Sequence, residues 1–72
     1  MNAIKVIEII GTSAKSWEDA ANNAIQEASE TVKGITGLEV VGQTARVEDQ
    51  NIVEFRTTVK IAFVVKDHRP DN

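Results

Sequence analysis

A long stretch of alternating residues near the end of the chain limits the possible folds more than any other feature. Every second residue from Val53 to Val65 is apolar or threonine, and the positions between them include two basic residues and a glutamate. A period of two places one set of side chains on a single face of an extended strand, so we predict a strand over 52–66. At about 3.3 Å per residue this strand would reach on the order of 45 Å. The fold must therefore contain a long sheet.

The rest of the pattern predicts two further strands and one helix. Residues 3–10 are dominated by isoleucine and valine, which favours a first strand. Ser16 is a good N-cap for an alanine-rich helix over 17–33. A lysine at its C-terminus has a favourable charge, and Gly34 after it can adopt the left-handed conformation that ends a helix. Residues 38–47 alternate imperfectly, with Gly42 as a predicted bulge or site of close approach, and we interpret them as the second strand. The order strand, helix, strand, strand predicts the α+β class.

The size of the chain predicts self-association. Its 72 residues form one predicted domain over 1–72, with a polar tail over 67–72 that we expect to fray, and they include no cysteine for a disulfide or thiolate metal site. A helix of about 17 residues spans roughly 26 Å and cannot cover the long sheet alone. The first strand also carries large apolar groups on both faces. We therefore expect further copies of the chain to cover the rest, in a higher oligomer.

Charge and hydropathy narrow the possible partners. Eight basic residues against eleven acidic ones give a net charge of −3 without a basic cluster, which argues against nucleic-acid binding. The longest apolar run, Ile61 to Val65, is far shorter than a membrane span, and no charged leader opens the chain. The sequence therefore predicts a soluble, cytoplasmic protein without a membrane partner.

No set of residues predicts catalysis. His68, the one histidine, lies in the predicted tail, where a catalytic base would not be held in position. The hydroxyl groups near the helix start fit capping and turn roles, and no ordered base stands beside them (Thr12, Ser13, Ser16). Glu8 interrupts an apolar strand, and we expect it to pair with Lys5 or Lys60 across a subunit boundary. The sequence thus predicts a protein that is not an enzyme.

Several segments together resemble the dodecin family. They are the first strand with its Gly-Thr-Ser ending (5–13), the alanine-rich helix (16–32) and the later strands (38–40 and 59–63). The resemblance covers residues 4 to 66 without an evident insertion. It implies a three-stranded antiparallel sheet of order 1-3-2 wrapped around one helix, and assembly into a hollow homododecamer.

The resemblance also implies a small-ligand binding or storage function related to flavins (FMN, riboflavin or FAD). Flavin-binding dodecins stack the isoalloxazine ring on a tryptophan near the start of the second strand and bond its edge with a glutamine on the third. The matching positions here are Gly37 and Arg56. Gly37 offers no stacking face, so flavin binding should be weak or altered. Arg56 could stack on a ring, hold a phosphate, or pair with Glu54 of another copy.

An alternative is a calcium-binding dodecameric shell without flavin. Dodecins that lack the stacking tryptophan resemble this chain in placing a tryptophan, here Trp17, directly after the capping serine, and that subgroup is associated with calcium. Calcium takes six to eight oxygen ligands, and no single run supplies them. Carboxylates of several copies could share a site (Glu39, Glu48, Asp49, Glu54), and the metal ligands stay unassigned.

Overall fold

The computed structural model describes residues 2–66, so the predicted tail over 67–72 lies outside the described residues. It contains β1 (Asn2–Ser13), α1 (Trp17–Ser29), β2 (Ile35–Glu48) and β3 (Asn51–Lys66). The three strands form one sheet of order β1-β3-β2, and both neighbouring pairs are antiparallel. The predicted α+β class and strand order are therefore confirmed.

The core lies between α1 and the side of the sheet that we call the inner face. The alanine stripe of α1 is buried and packs on Val59 and Ile61 of the central strand (Ala20, Ala24, Ala28). Ile7 and Ile9 of β1 lie beside these residues, opposite Ile61 and Val59 in the register. Alanine side chains allow the helix axis to approach the sheet closely, and burying the larger strand residues supplies the apolar driving force.

The helix is shorter than the sequence predicts, since it ends at Ser29 and not at residue 33. After that point two amide groups converge on one acceptor: Thr31 and Val32 both donate to the carbonyl oxygen of Ala28, at 3.1 and 2.9 Å. Such bonds tighten and close the last helical turn. Gly34 follows with a positive φ of 79°. Its carbonyl accepts from the amide of Val64 at 3.2 Å, which draws the chain into the sheet.

All three strands are longer than predicted. Residues 11–13, predicted to stop the first strand, continue it because they pair with residues 55–57 of β3. β2 runs over 35–48 where the sequence predicts 38–47, and β3 runs over 51–66 where it predicts 52–66. The register of β2 shifts between Val40 and Gly42, which confirms the predicted bulge, and shifts again at both ends of the strand.

Much apolar surface stays outside the core. β3 has 16 residues and extends about 53 Å, whereas the 13 residues of α1 extend about 20 Å. Exposed side chains of β1 lie on the face away from the helix, which we call the outer face (Ile4, Val6, Ile10). Leu38 and Val40 of β2 lie on the inner face but are also exposed, because α1 packs mainly on β1 and β3. Among residues 2–66 no helix is long and apolar enough to cross a membrane.

Candidate functional site

Gly37 lies in a shallow depression on the outer face of the sheet. The register places it opposite Ala62, and a Cβ added at Gly37 would be 4.0 Å from the Ala62 Cβ. The depression has a volume of about 470 Å³, and its lining is largely apolar (Val6, Gly37, Leu38, Glu39, Lys60, Ala62). None of these six residues is aromatic. The predicted ligand position is therefore an open hollow without a stacking face.

One row of charged residues crosses the sheet beside this depression. Lys60 of β3 lies between Glu8 of β1 and Glu39 of β2 in the register. Glu8 is exposed in a single copy, so its predicted pairing across a subunit boundary stays a prediction. Among residues 2–66 its carboxylate makes no ion pair within 4 Å, although Lys60, one of its two predicted partners, is its direct cross-strand neighbour.

Arg56 lies on the same outer face in a cluster of alternating charges. Its Nε donates to Oε1 of Glu54 at 2.8 Å. The Nε of Arg46 lies 3.5 Å from the same oxygen, and Nη1 of Arg46 donates to the carboxylate of Glu48. The hydrogen bond from Arg56 and the charges of both arginines hold the pKa of the Glu54 carboxyl below its usual range. Arg56 thus pairs with Glu54 of its own chain.

Gly37 and Arg56 do not form one site within a single copy. Gly37 is opposite Ala62, which is six residues from Arg56 along β3. At about 3.3 Å per residue the two positions are roughly 20 Å apart. A single flat ring could contact both only if different copies of the chain supplied them.

Trp17 is a structural anchor between the helix and the sheet. Its indole Nε1 donates to the carbonyl of Thr44 at 2.8 Å, and its own carbonyl accepts from Oγ1 of Thr57 at 2.8 Å. The ring meets Phe55 edge-on, with centroids 4.8 Å apart and planes at 79°. Sequence reasoning missed this role, although a tryptophan at the first helical position combines a large apolar body with a donor that needs a partner.

The candidate calcium ligands are spread along the sheet. Glu48 and Asp49 lie at the hairpin, Glu54 lies in the arginine cluster, and Glu39 lies beside the depression. Within residues 2–66 no three acidic, histidine or cysteine side chains come together in a way that could hold a metal ion. The part of one copy that the structure describes therefore does not bring such a set of calcium ligands together, and His68 lies outside that part.

A short helix packs on one face of a long sheet, and the other face carries apolar side chains and a shallow hollow. This arrangement defines a small α+β fold. The chain belongs to the dodecin family, whose family model matches residues 3–66. It is 36% identical over 70 residues to calcium dodecin from Mycobacterium tuberculosis, covering 97% of this chain and 99% of that protein.

Solved structures agree with this assignment. Dodecin from Streptomyces coelicolor matches with a TM-score of 0.89 at 26% identity, covering 92% of this chain and 94% of that one. Dodecin from Streptomyces davaonensis matches with a TM-score of 0.87 at 29% identity, covering 92% and 97%. The Mycobacterium tuberculosis structure, described as a calcium-chelating antigen with a novel calcium-binding site, matches with a TM-score of 0.79 at 35% identity, covering 96% and 99%.

Proposed function

We propose that this chain is a non-enzymatic dodecin that assembles into a homododecamer and binds a divalent cation, calcium in particular, between its copies. Flavin binding is the second candidate. We favour the cation over a flavin because Gly37 stands where a flavin would need an aromatic side chain to stack on. In this proposal the chain associates with further copies of itself and does not bind nucleic acid.

Uncovered apolar surface supports the assembly. Ile4, Val6 and Ile10 on the outer face are 67%, 56% and 59% exposed. Burying each of these side chains would contribute about 2 kcal/mol. Since exposed apolar groups occur on both faces of the sheet, contacts with more than one neighbouring copy can form.

The residues at the flavin position do not fit a stacked ring. Gly37 has no side chain, and Trp17 is held against Phe55 on the inner face while Gly37 lies on the outer face. A stacked aromatic partner contributes roughly 1 kcal/mol beyond the area it buries, and this contribution is missing here. The Nε donor of Arg56 is also taken by Glu54.

The relative named calcium dodecin, 36% identical over nearly the whole chain, favours calcium. Because one copy does not bring three acidic groups together in residues 2–66, the oxygens would come from several copies. Carboxylates on exposed strand and hairpin positions are accessible for such sharing (Glu39, Glu48, Asp49).

Calcium addition to chelator-treated protein tests the proposal. Native mass spectra should show about twelve chains with calcium retained, and the thermal midpoint should rise with calcium concentration because binding stabilises the folded assembly. Glu39→Gln, Glu48→Gln and Asp49→Asn identify the ligands, with Glu18→Gln on the exposed helix surface as the matched control. A dodecamer that keeps its mass and its melting temperature in millimolar calcium would reject the cation proposal.

Flavin remains the second candidate because the depression of about 470 Å³ has apolar walls and one ammonium group, from Lys60. Quenching of FMN fluorescence measures this binding. Gly37→Trp should raise the affinity roughly fivefold, since a stacked ring contributes about 1 kcal/mol. Gly42→Trp is the matched control, because Gly42 also lies on the outer face with open space around it. Equal titrations for both variants would reject a flavin site at Gly37.

A further inference from the structure

Near the β2–β3 hairpin, one arginine side chain lies between two carboxylates. Nη1 of Arg46 donates to the carboxylate of Glu48, and Nε of Arg46 lies 3.5 Å from Oε1 of Glu54. Glu48 belongs to β2 and Glu54 belongs to β3, so the guanidinium contacts one acid from each strand. A planar group with several N–H donors is suited to such a double contact. Arg46 is therefore the cation around which these two carboxylates are arranged.

The backbone of the hairpin brings the three side chains together. Arg46 lies directly opposite Glu54 in the register, and the register shifts between Arg46 and Val47. A bulge of this kind bends a strand and re-aims its side chains. Glu48, two residues beyond Arg46, is the last residue of β2 before the turn. The meeting of two acids at one arginine therefore follows from the strand register at this hairpin.

The hairpin carries more negative than positive charge. Residues 46–56 include three acids and two arginines, which gives a formal net charge of −1 (Glu48, Asp49, Glu54; Arg46, Arg56). Without the charge of Arg46 this value would be −2, which one divalent cation neutralises. Carboxylate oxygens are also ligands that calcium prefers. The carboxylates that hold the guanidinium can therefore hold a calcium ion in its place.

The contact between Arg46 and Glu48 is open to exchange with an ion from solution. Their side chains are 44% and 60% exposed. An exposed ion pair of this kind contributes little to stability, so its carboxylate can change partners. Glu54 is less exposed and also accepts from Nε of Arg56 at 2.8 Å, which holds Glu54 in place when Arg46 moves away. The displacement of Arg46 therefore leaves an ordered carboxylate behind it.

We infer that Arg46 is the competitor that controls cation binding at the hairpin: a divalent cation binds Glu48 and Glu54 when it displaces the Arg46 guanidinium. This inference rests on the proposed cation binding and adds to it a position and a residue that sets the affinity. The two carboxylates supply part of the ligand set, and Asp49 or other copies of the chain supply further oxygens. Calcium and Arg46 exclude each other, because both need the same oxygens.

Calorimetric titration of the chelator-treated assembly with calcium, at a constant ionic strength of about 0.15 M, tests this competition. Arg46→Gln should raise the calcium affinity roughly fivefold, because it removes one positive charge about 4 Å from the bound ion. Lys33→Gln removes the same charge from an exposed position beyond α1 and should change the affinity less than about twofold. Native mass spectrometry checks that each variant keeps the size of the parent assembly.

Two further variants test the geometry of the contact. Arg46→Lys keeps the charge, but an ammonium group lacks the planar fork that contacts two carboxylates at once. Its calcium affinity should therefore lie between those of the parent protein and Arg46→Gln. Glu48→Gln added to Arg46→Gln should remove the gain, because it takes away a carboxylate that the ion uses. An undiminished gain in this double variant would place the ion elsewhere and overturn the inference.

Thermal denaturation separates this inference from the cation proposal. Without calcium, Arg46→Gln should melt below the parent protein, and calcium should raise its midpoint further because tighter binding stabilises the folded assembly more. Equal calcium affinities in the two proteins would overturn the inference and leave the cation proposal standing. Binding by Arg46→Gln alone would support the inference and reject the cation proposal for the parent protein, and no binding by either would overturn both.

Discussion

Gly11 lies where β1 passes under the first turns of α1. A Cβ built there would overlap the carbonyl oxygen of Ala20 and lie 2.9 Å from the Cβ of Ala24. The Ala20 carbonyl belongs to the helix backbone and cannot move as a flexible side chain can. The absence of a side chain at this position therefore sets the distance between helix and sheet.

Gly11→Ala should lower the free energy of unfolding by about 3 kcal/mol, because the helix must move away from a packed core. Gly42→Ala is the matched control and should change it by less than about 0.5 kcal/mol, since its Cβ would meet open space. Urea denaturation of both variants measures the difference. Similar stabilities for the two would contradict the close approach of α1 and β1.

The Glu54 carboxylate predicts a dependence of stability on pH. Its pKa in the folded protein is lowered, chiefly by the hydrogen bond from Arg56, so its contribution is present above the ordinary glutamate pKa. That contribution disappears as the pH falls through the lowered value.

Urea denaturation of the parent protein and of Glu54→Gln should therefore show a difference at pH 7 that closes as the pH falls below the ordinary glutamate range and through the lowered pKa. Glu18→Gln, on the exposed side of the helix, supplies the control for a carboxylate outside this cluster. A difference that stays constant over this range would show that Glu54 acts through something other than its charge.

At the scale of elements, the β2–β3 hairpin holds two residues in an unusual backbone conformation. Asp49 and Gln50 both have positive φ, 51° and 68°, between strands that end at Glu48 and resume at Asn51. Two residues of this kind form a type I′ turn, whose twist matches that of the strands and whose second position favours glycine. Gln50 is therefore held in a conformation that costs it energy.

Gln50→Gly should raise the free energy of unfolding by about 0.5–1 kcal/mol, because glycine adopts a positive φ without a steric penalty. Gln43→Gly inside β2 is the matched control and should lower it by a similar amount, since glycine weakens a strand interior. Thermal denaturation compares the two. A loss of stability in Gln50→Gly would rule out strain at this turn.

At the scale of the whole molecule, the helix covers only part of a sheet more than twice its length. Ile10 is 59% exposed on the outer face, within a strand whose inner side is already packed. A chain with this much apolar surface on a single copy is expected to associate. The same surface would then stabilise the assembly and the protomer together.

Ile10→Asp should split the assembly into smaller species, because it places a charge in an apolar contact and removes about 2 kcal/mol of burial from each copy. Asn22→Asp adds the same charge on the exposed side of α1 and should leave the particle intact. Native mass spectrometry and size-exclusion chromatography count the subunits. A full-sized particle formed by Ile10→Asp would place that residue outside every subunit contact.

The sequence was enough to predict the order of elements, the alanine stripe of α1 and the alternation of β3. Periodicity and capping are local properties of neighbouring residues, so they can be recognised without the fold. The family resemblance extended this to the strand order, which is confirmed. The element ends were less readable. Residues 11–13, Ile35 and Gly37 belong to strands because β3 provides partners for them, and pairing with a distant strand leaves no local signal.

The sequence by itself determined which residue types stand at the candidate site: a glycine in place of a stacking aromatic residue, and an arginine on the third strand. Only the tertiary structure decided their surroundings. The register separates Gly37 from Arg56 by roughly 20 Å, and the Arg56 side chain pairs with Glu54 of the same chain. The physical reason is that contacts across a sheet depend on strand register, which forms only when distant segments fold together.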